Sequence, residues 1–92
     1  MQLIAGESIF KKFEKLGDPP TDKQRVSYKL SKNSDVIYQE ELPVNGRVFQ
    51  LAIRSEQTKV LIPGSYRLQV YFEDLDTGYL KYILDEILNI RS

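Results

Sequence analysis

The side chains of this chain that carry reactive or ligating groups fall into a few short sets, of which the carboxylates come first. Glu40-Glu41 and Asp85-Glu86 are adjacent acids of the kind that supply a general acid and base in glycoside hydrolysis. Neighbouring residues on a strand point to opposite faces, so neither pair converges on one substrate, and both read as solvated charges at a strand edge or end. Glu40 and Glu41, close to Pro43, also discourage edge-to-edge pairing. Asp74, Asp76 and Gly78 stand in the D-x-D-x-G order that opens an EF-hand calcium loop. Tyr79, Leu80 and Lys81 follow where further oxygens are needed, and the final loop position, which takes a bidentate Glu, holds Asp85. A turn is therefore the expectation there. Lys11, Lys12 and Lys15 form a small basic cluster with Glu7 and Glu14 among them, which solubilises one face of the first long segment.

Tyrosines supply the remaining chemistry. Tyr71 lies between Gln69 and Glu73 on the outward face of its segment, and Tyr79 and Tyr82 follow in the next one. An exposed tyrosine row across paired strands suits a protein interface, or stacking on sugar rings. Tyr71, Tyr79 and Tyr82 are thus the candidate interface.

The chain contains no histidine and no cysteine, which removes the commonest metal ligand and general base, any thiolate nucleophile and any disulfide framework. No catalytic residue, cofactor site or metal site is expected, and the chain reads as a non-enzyme that works by binding. Lys plus Arg and Asp plus Glu number 13 each, so no net positive field gathers phosphates or anionic lipid. The expected partners are proteins, with neither nucleic acid nor membrane among them. No apolar stretch approaches the roughly 20 residues that span a bilayer, and Met1-Gln2-Leu3-Ile4-Ala5-Gly6 is too short for a signal-peptide core. A cytoplasmic product is the expectation.

The elements that must position these residues read mainly as strands. At 92 residues one domain, 1–92, uses the whole chain. Tyr66, Leu68, Val70 and Phe72 alternate with Arg67, Gln69, Tyr71 and Glu73, the period of a half-buried strand. Phe49, Leu51 and Ile53 repeat the pattern, as do Val26, Tyr28 and Leu30. Lys32-Asn33-Ser34-Asp35 is turn chemistry joining Val26–Leu30 to Asp35–Glu41 as a hairpin, and Asn45-Gly46 predicts a type I′ turn. Pro43 cannot donate to a ladder and places its strand at a sheet edge. The two ends are ambiguous. Ile9, Phe10, Phe13 and Leu16 fit a helical stripe capped by Ser8 and stopped by Gly17, or a strand whose bulge lets Phe10 and Phe13 share a face. Leu80, Ile83, Leu84, Ile87 and Leu88 form a regular helical stripe, while the preceding turn at 74–78 favours a returning strand. Two fold classes follow: an all-β, immunoglobulin-like antiparallel sandwich of about seven strands, or an α+β protein with both ends as helices on a four-stranded sheet.

Between Thr58 and Val70 the sequence has a compact mechanical reading. Leu61 plugs the end of the sandwich, Pro63-Gly64 turns the chain, and Tyr66 enters the next strand with its ring buried and its hydroxyl free to bond nearby backbone. This Leu61, Pro63, Gly64, Tyr66 set looks like the tyrosine corner of immunoglobulin-like and fibronectin-like sandwiches. Gly6-Glu7-Ser8, then Thr58-x-x-Leu61-x-Pro63-Gly64-x-Tyr66-x-Leu68-x-Val70, then Asp76-Thr77-Gly78 and a last strand ending Leu88-Asn89-Ile90, resembles the small immunoglobulin-like modules of tailed-phage and prophage structural proteins. The N-terminal domain of lactococcal-type baseplate upper proteins is one such module. The resemblance implies a non-catalytic virion component of a tail or baseplate, contacting other virion proteins or itself. A glycan-binding or adhesion module using the exposed tyrosines is the alternative.

Overall fold

The computed structural model describes residues 1–92 and holds eight strands and one short helix: β1 (Gln2–Ile4), β2 (Ile9–Glu14), β3 (Gln24–Lys32), β4 (Asp35–Glu41), β5 (Val44–Asn45), β6 (Val48–Ile53), α1 (Ser55–Lys59), β7 (Gly64–Asp74) and β8 (Leu80–Arg91). A five-stranded sheet in the order β1-β8-β7-β3-β4 stacks on a three-stranded sheet in the order β2-β6-β5, giving an all-β, sandwich-like fold. The alternating residues of the central strands supply one core of 14 buried side chains, including Val26, Tyr28 and Leu30 of β3, Leu51 and Ile53 of β6, and Leu68 and Val70 of β7. Ile9 of β2 and Leu88 and Ile90 of β8 complete it. Burying this apolar area, at about 25 cal/mol per Å², is what holds the two sheets together.

Both ambiguous ends are strands, so the α+β alternative falls. β8 pairs antiparallel with β7 from Leu80 to Ile90, because the turn at 74–79 returns the chain directly along the strand it has just left. β2 pairs with β6 in unbroken register, Ile9↔Ile53 through Glu14↔Val48. The bulge expected there is absent, so Phe13 turns toward the core while Phe10 stands exposed.

Two further expectations are corrected. The sandwich is not wholly antiparallel: β1 runs parallel to the end of β8, Gln2↔Asn89 to Ile4↔Arg91, before the chain crosses to the other sheet as β2. The type I′ turn does not form at Asn45-Gly46. Asn45 already pairs with Val48 and only Gly46 has positive φ, whereas Asn33 and Ser34 both do, at 52° and 71°. Asn and Ser tolerate this conformation better than bulkier residues, and it makes the tight β3–β4 hairpin. The segment after β6 forms α1. Its buried Thr58 hydroxyl donates to the Glu7 carbonyl at 2.6 Å and accepts from the Gly6 amide at 3.1 Å, pinning the β1–β2 crossover.

Candidate interaction surface

The corner residues come together at the start of β7. Tyr66 is 3% exposed, and its hydroxyl donates to the Ile62 carbonyl at 2.6 Å, so the ring is buried while the one polar atom is satisfied. Leu61 is buried beside the turn. Gly64 has φ +152°, and a Cβ built there would lie 2.9 Å from Lys32 Nζ. Glycine therefore leaves room for the Lys32 ammonium, which sits 5.1 Å from the Tyr66 ring centroid.

The three interface tyrosines do not form one row. Tyr71 and Tyr82 are cross-strand partners on the outer face, with ring centroids 6.1 Å apart in an edge-on arrangement. Gln39 Nε2 donates to the Tyr71 hydroxyl at 2.7 Å, and Lys29 Nζ stands 5.9 Å from that ring. Tyr79 packs against Phe72 instead, at 6.4 Å. Phe72 belongs to the inward set of β7 and abuts the core, so Tyr79 serves the mouth of the sandwich. There Phe13 and Phe49 stack at 5.4 Å, and an open cleft of about 1030 Å³ runs past them to Phe72, Tyr79, Tyr82 and Ile83.

Along the flank of that cleft runs the feature that sequence reasoning missed. β1 covers β8 only at Asn89, Ile90 and Arg91, and the flanking bonds reach no further back than the Ile87 carbonyl, which accepts from the Met1 ammonium. From Leu80 to Glu86 the side of β8 away from β7 has no neighbouring strand. Leu80, Ile83 and Ile87 are nevertheless 47%, 37% and 53% exposed. A bulge explains part of this: Val70 pairs with Leu84 and Tyr71 with Tyr82, leaving Ile83 as the extra residue. The signal was present in the sequence, since apolar residues at helical spacing within a strand must leave some of themselves on the wet face or the edge.

The acids are occupied in different ways. Asp85 accepts a two-pronged contact from Arg67, Nε at 2.8 Å and Nη2 at 2.7 Å, which holds its carboxyl below the usual range and the guanidinium above its own. The Asp74 carboxyl is also lowered, first by Gln24 Nε2 and then by the Asp76 and Thr77 amides, so the D-x-D-x-G segment is a self-bonded turn. No three acidic side chains gather as a cation site would need. Glu41 stands 3.9 Å from Arg25. Glu86 differs: its Oε1 is buried and has no hydrogen-bond partner. Of the three lysines near the N-terminus, Lys15 donates to the Leu16 and Asp18 carbonyls and lies 6.0 Å from the Phe72 ring, while Lys11 lies 5.7 Å from the Phe13 ring. No protein-family model matches the chain, and no curated protein matches it.

Proposed function

We propose that this chain is a non-catalytic interaction module that joins other proteins through the β8 side of its five-stranded sheet, as a small component of a tailed-phage or prophage particle. The observation that carries the reading is the free stretch from Leu80 to Glu86, an unpaired strand edge flanked by exposed apolar side chains and opening onto an aromatic cleft. Unpaired backbone donors and acceptors beside apolar surface are what a partner strand covers best. The immunoglobulin-like part of the reading is supported by strand order. β2-β6-β5 against β8-β7-β3-β4 corresponds to B-E-D against G-F-C-C′, and Tyr66 opens the strand that carries the tyrosine corner. The phage setting is supported by the resemblance of the Thr58–Val70 segment and the last strand to baseplate modules. A photo-cross-linking residue in place of Tyr82, in the producing cell, tests the reading. Adducts to tail structural proteins or to the chain itself are expected. Equal adducts from the same group in place of Ile37 on β4 would overturn it.

A second reading rests on the outer face, where the Tyr71–Tyr82 pair lies against the side chains of Gln39 and Lys29. Half-exposed aromatic rings ringed by hydrogen-bonding groups suit a sugar. A glycan array without a hit removes it.

A further inference from the structure

We propose that the occupant of the β8 edge is a second copy of this chain, docked antiparallel about a two-fold axis at Ile83. The inference rests on the reading of β8 as the contact surface and names its partner. The free stretch is Leu80-Lys81-Tyr82-Ile83-Leu84-Asp85-Glu86: an apolar middle with a cation near one end and two acids at the other. Reversed against itself about Ile83, it brings Lys81 of each copy within reach of Glu86 of the other, both on the inner face, beside Phe72 and Leu68 of their own β7 respectively. Opposite charges placed this way fix both the direction and the register of pairing.

Three features of the single chain fit this partner. Lys81 is exposed and takes part in none of the ion pairs within its own chain. Glu86 Oε1 is buried without a donor, a condition costly enough that folded proteins rarely keep it, and the arriving ammonium supplies the missing donor. The bulge at Ile83 puts Lys81 and Glu86, five residues apart, on the same face of β8, so the cation and the acid that are to meet across the axis point the same way. β1 meets β8 only from Ile87 onward and leaves the stretch open.

Sedimentation velocity from low to high micromolar concentration tests the proposal on the wild-type chain, Lys81→Glu, Glu86→Lys and an equimolar mixture of the two variants. The wild type forms a dimer, each reversal weakens it at least about tenfold, and the mixture recovers a heterodimer. Thermal melts confirm that both variants fold. Should Glu86→Lys melt early because its side chain is half-buried, Glu86→Gln takes its place for the single-variant comparison. A wild-type chain that stays monomeric throughout overturns self-pairing and leaves the β8 reading to the cross-link from position 82. A dimer indifferent to both reversals pairs through another surface and overturns self-pairing at β8, and it too leaves the β8 reading to the cross-link.

Discussion

The five-stranded sheet ends on one side in β4 and on the other in the free part of β8, and the two edges have much in common. Each is bulged, β4 by its extra Ile37 and β8 by Ile83. Each exposes apolar side chains, with Val36 and Ile37 at 51% and 42% on β4 against the comparable values on β8. Their charges separate them. β4 carries Asp35, Glu40 and Glu41 and no cation, so an antiparallel copy centred on Tyr38 would set Asp35 against Glu41. β8 carries Lys81 ahead of Asp85 and Glu86, so the same operation sets opposite signs together. Exposed apolar area alone therefore does not mark the edge that pairs; the order of the charges decides.

That comparison holds only while the sheet between the edges is intact, and its largest expected failure lies in the core. Tyr66→Ala removes the buried ring next to Leu88 of β8 and leaves a cavity, at a cost of about 3–5 kcal/mol in urea melts. This is a large share of the stability of a domain of this size, and both edges are lost with it. Tyr66→Phe removes only the bond to the Ile62 carbonyl, at about 0.5–1.5 kcal/mol. Losses of equal size in the two variants would mean that the ring is not what anchors the corner.

Alkaline pH breaks the comparison by a second route. Tyr28 of β3 is fully buried, and burial pushes its hydroxyl above the ordinary value of 10.0. The folded chain then holds the proton more tightly than the unfolded one. Its contribution to stability is present below about pH 10 and is lost as pH rises through the folded value. Melting temperature followed upward from neutral pH should fall along this course, and Tyr28→Phe should flatten the fall.

Much of this was legible in the sequence and some was not, for identifiable reasons. Period-2 alternation placed β3, β6 and β7 because each buries one face against the opposite sheet and wets the other. The corner was legible because Pro63, Gly64 and Tyr66 each act locally. β8 carried a helical stripe beside its strand reading because Ile83 breaks the two-residue period and because the apolar Leu80 and Ile87 lie exposed. Local rules fail where a surface is shaped for something other than folding. The parallel pairing of β1 and the role of Thr58 depend on contacts between residues far apart in the chain, which no local pattern announces.

Smaller effects sharpen the comparison. Lys81→Glu gives β8 the all-acid character of β4 and should cost association while leaving the melting temperature unchanged at concentrations where the wild type is monomeric, as expected for an exposed side chain. Conversely, Glu40→Lys introduces a cation into the all-acid β4 edge and should raise a small population of species larger than a dimer at the highest concentrations. An unchanged sedimentation profile would show that Pro43 and the bulge protect β4 without help from charge.

The absence of cysteine makes the most direct test simple, because a single introduced thiol can form a disulfide only between copies. Ile83→Cys places it at the proposed axis and Ile37→Cys at the matching bulge of β4, and each variant is oxidised mildly under native conditions. Antiparallel strand partners lie close enough for a disulfide, so the account predicts rapid covalent dimer from position 83 and little from position 37. Equal rates at the two positions, or a faster reaction at 37, would contradict it.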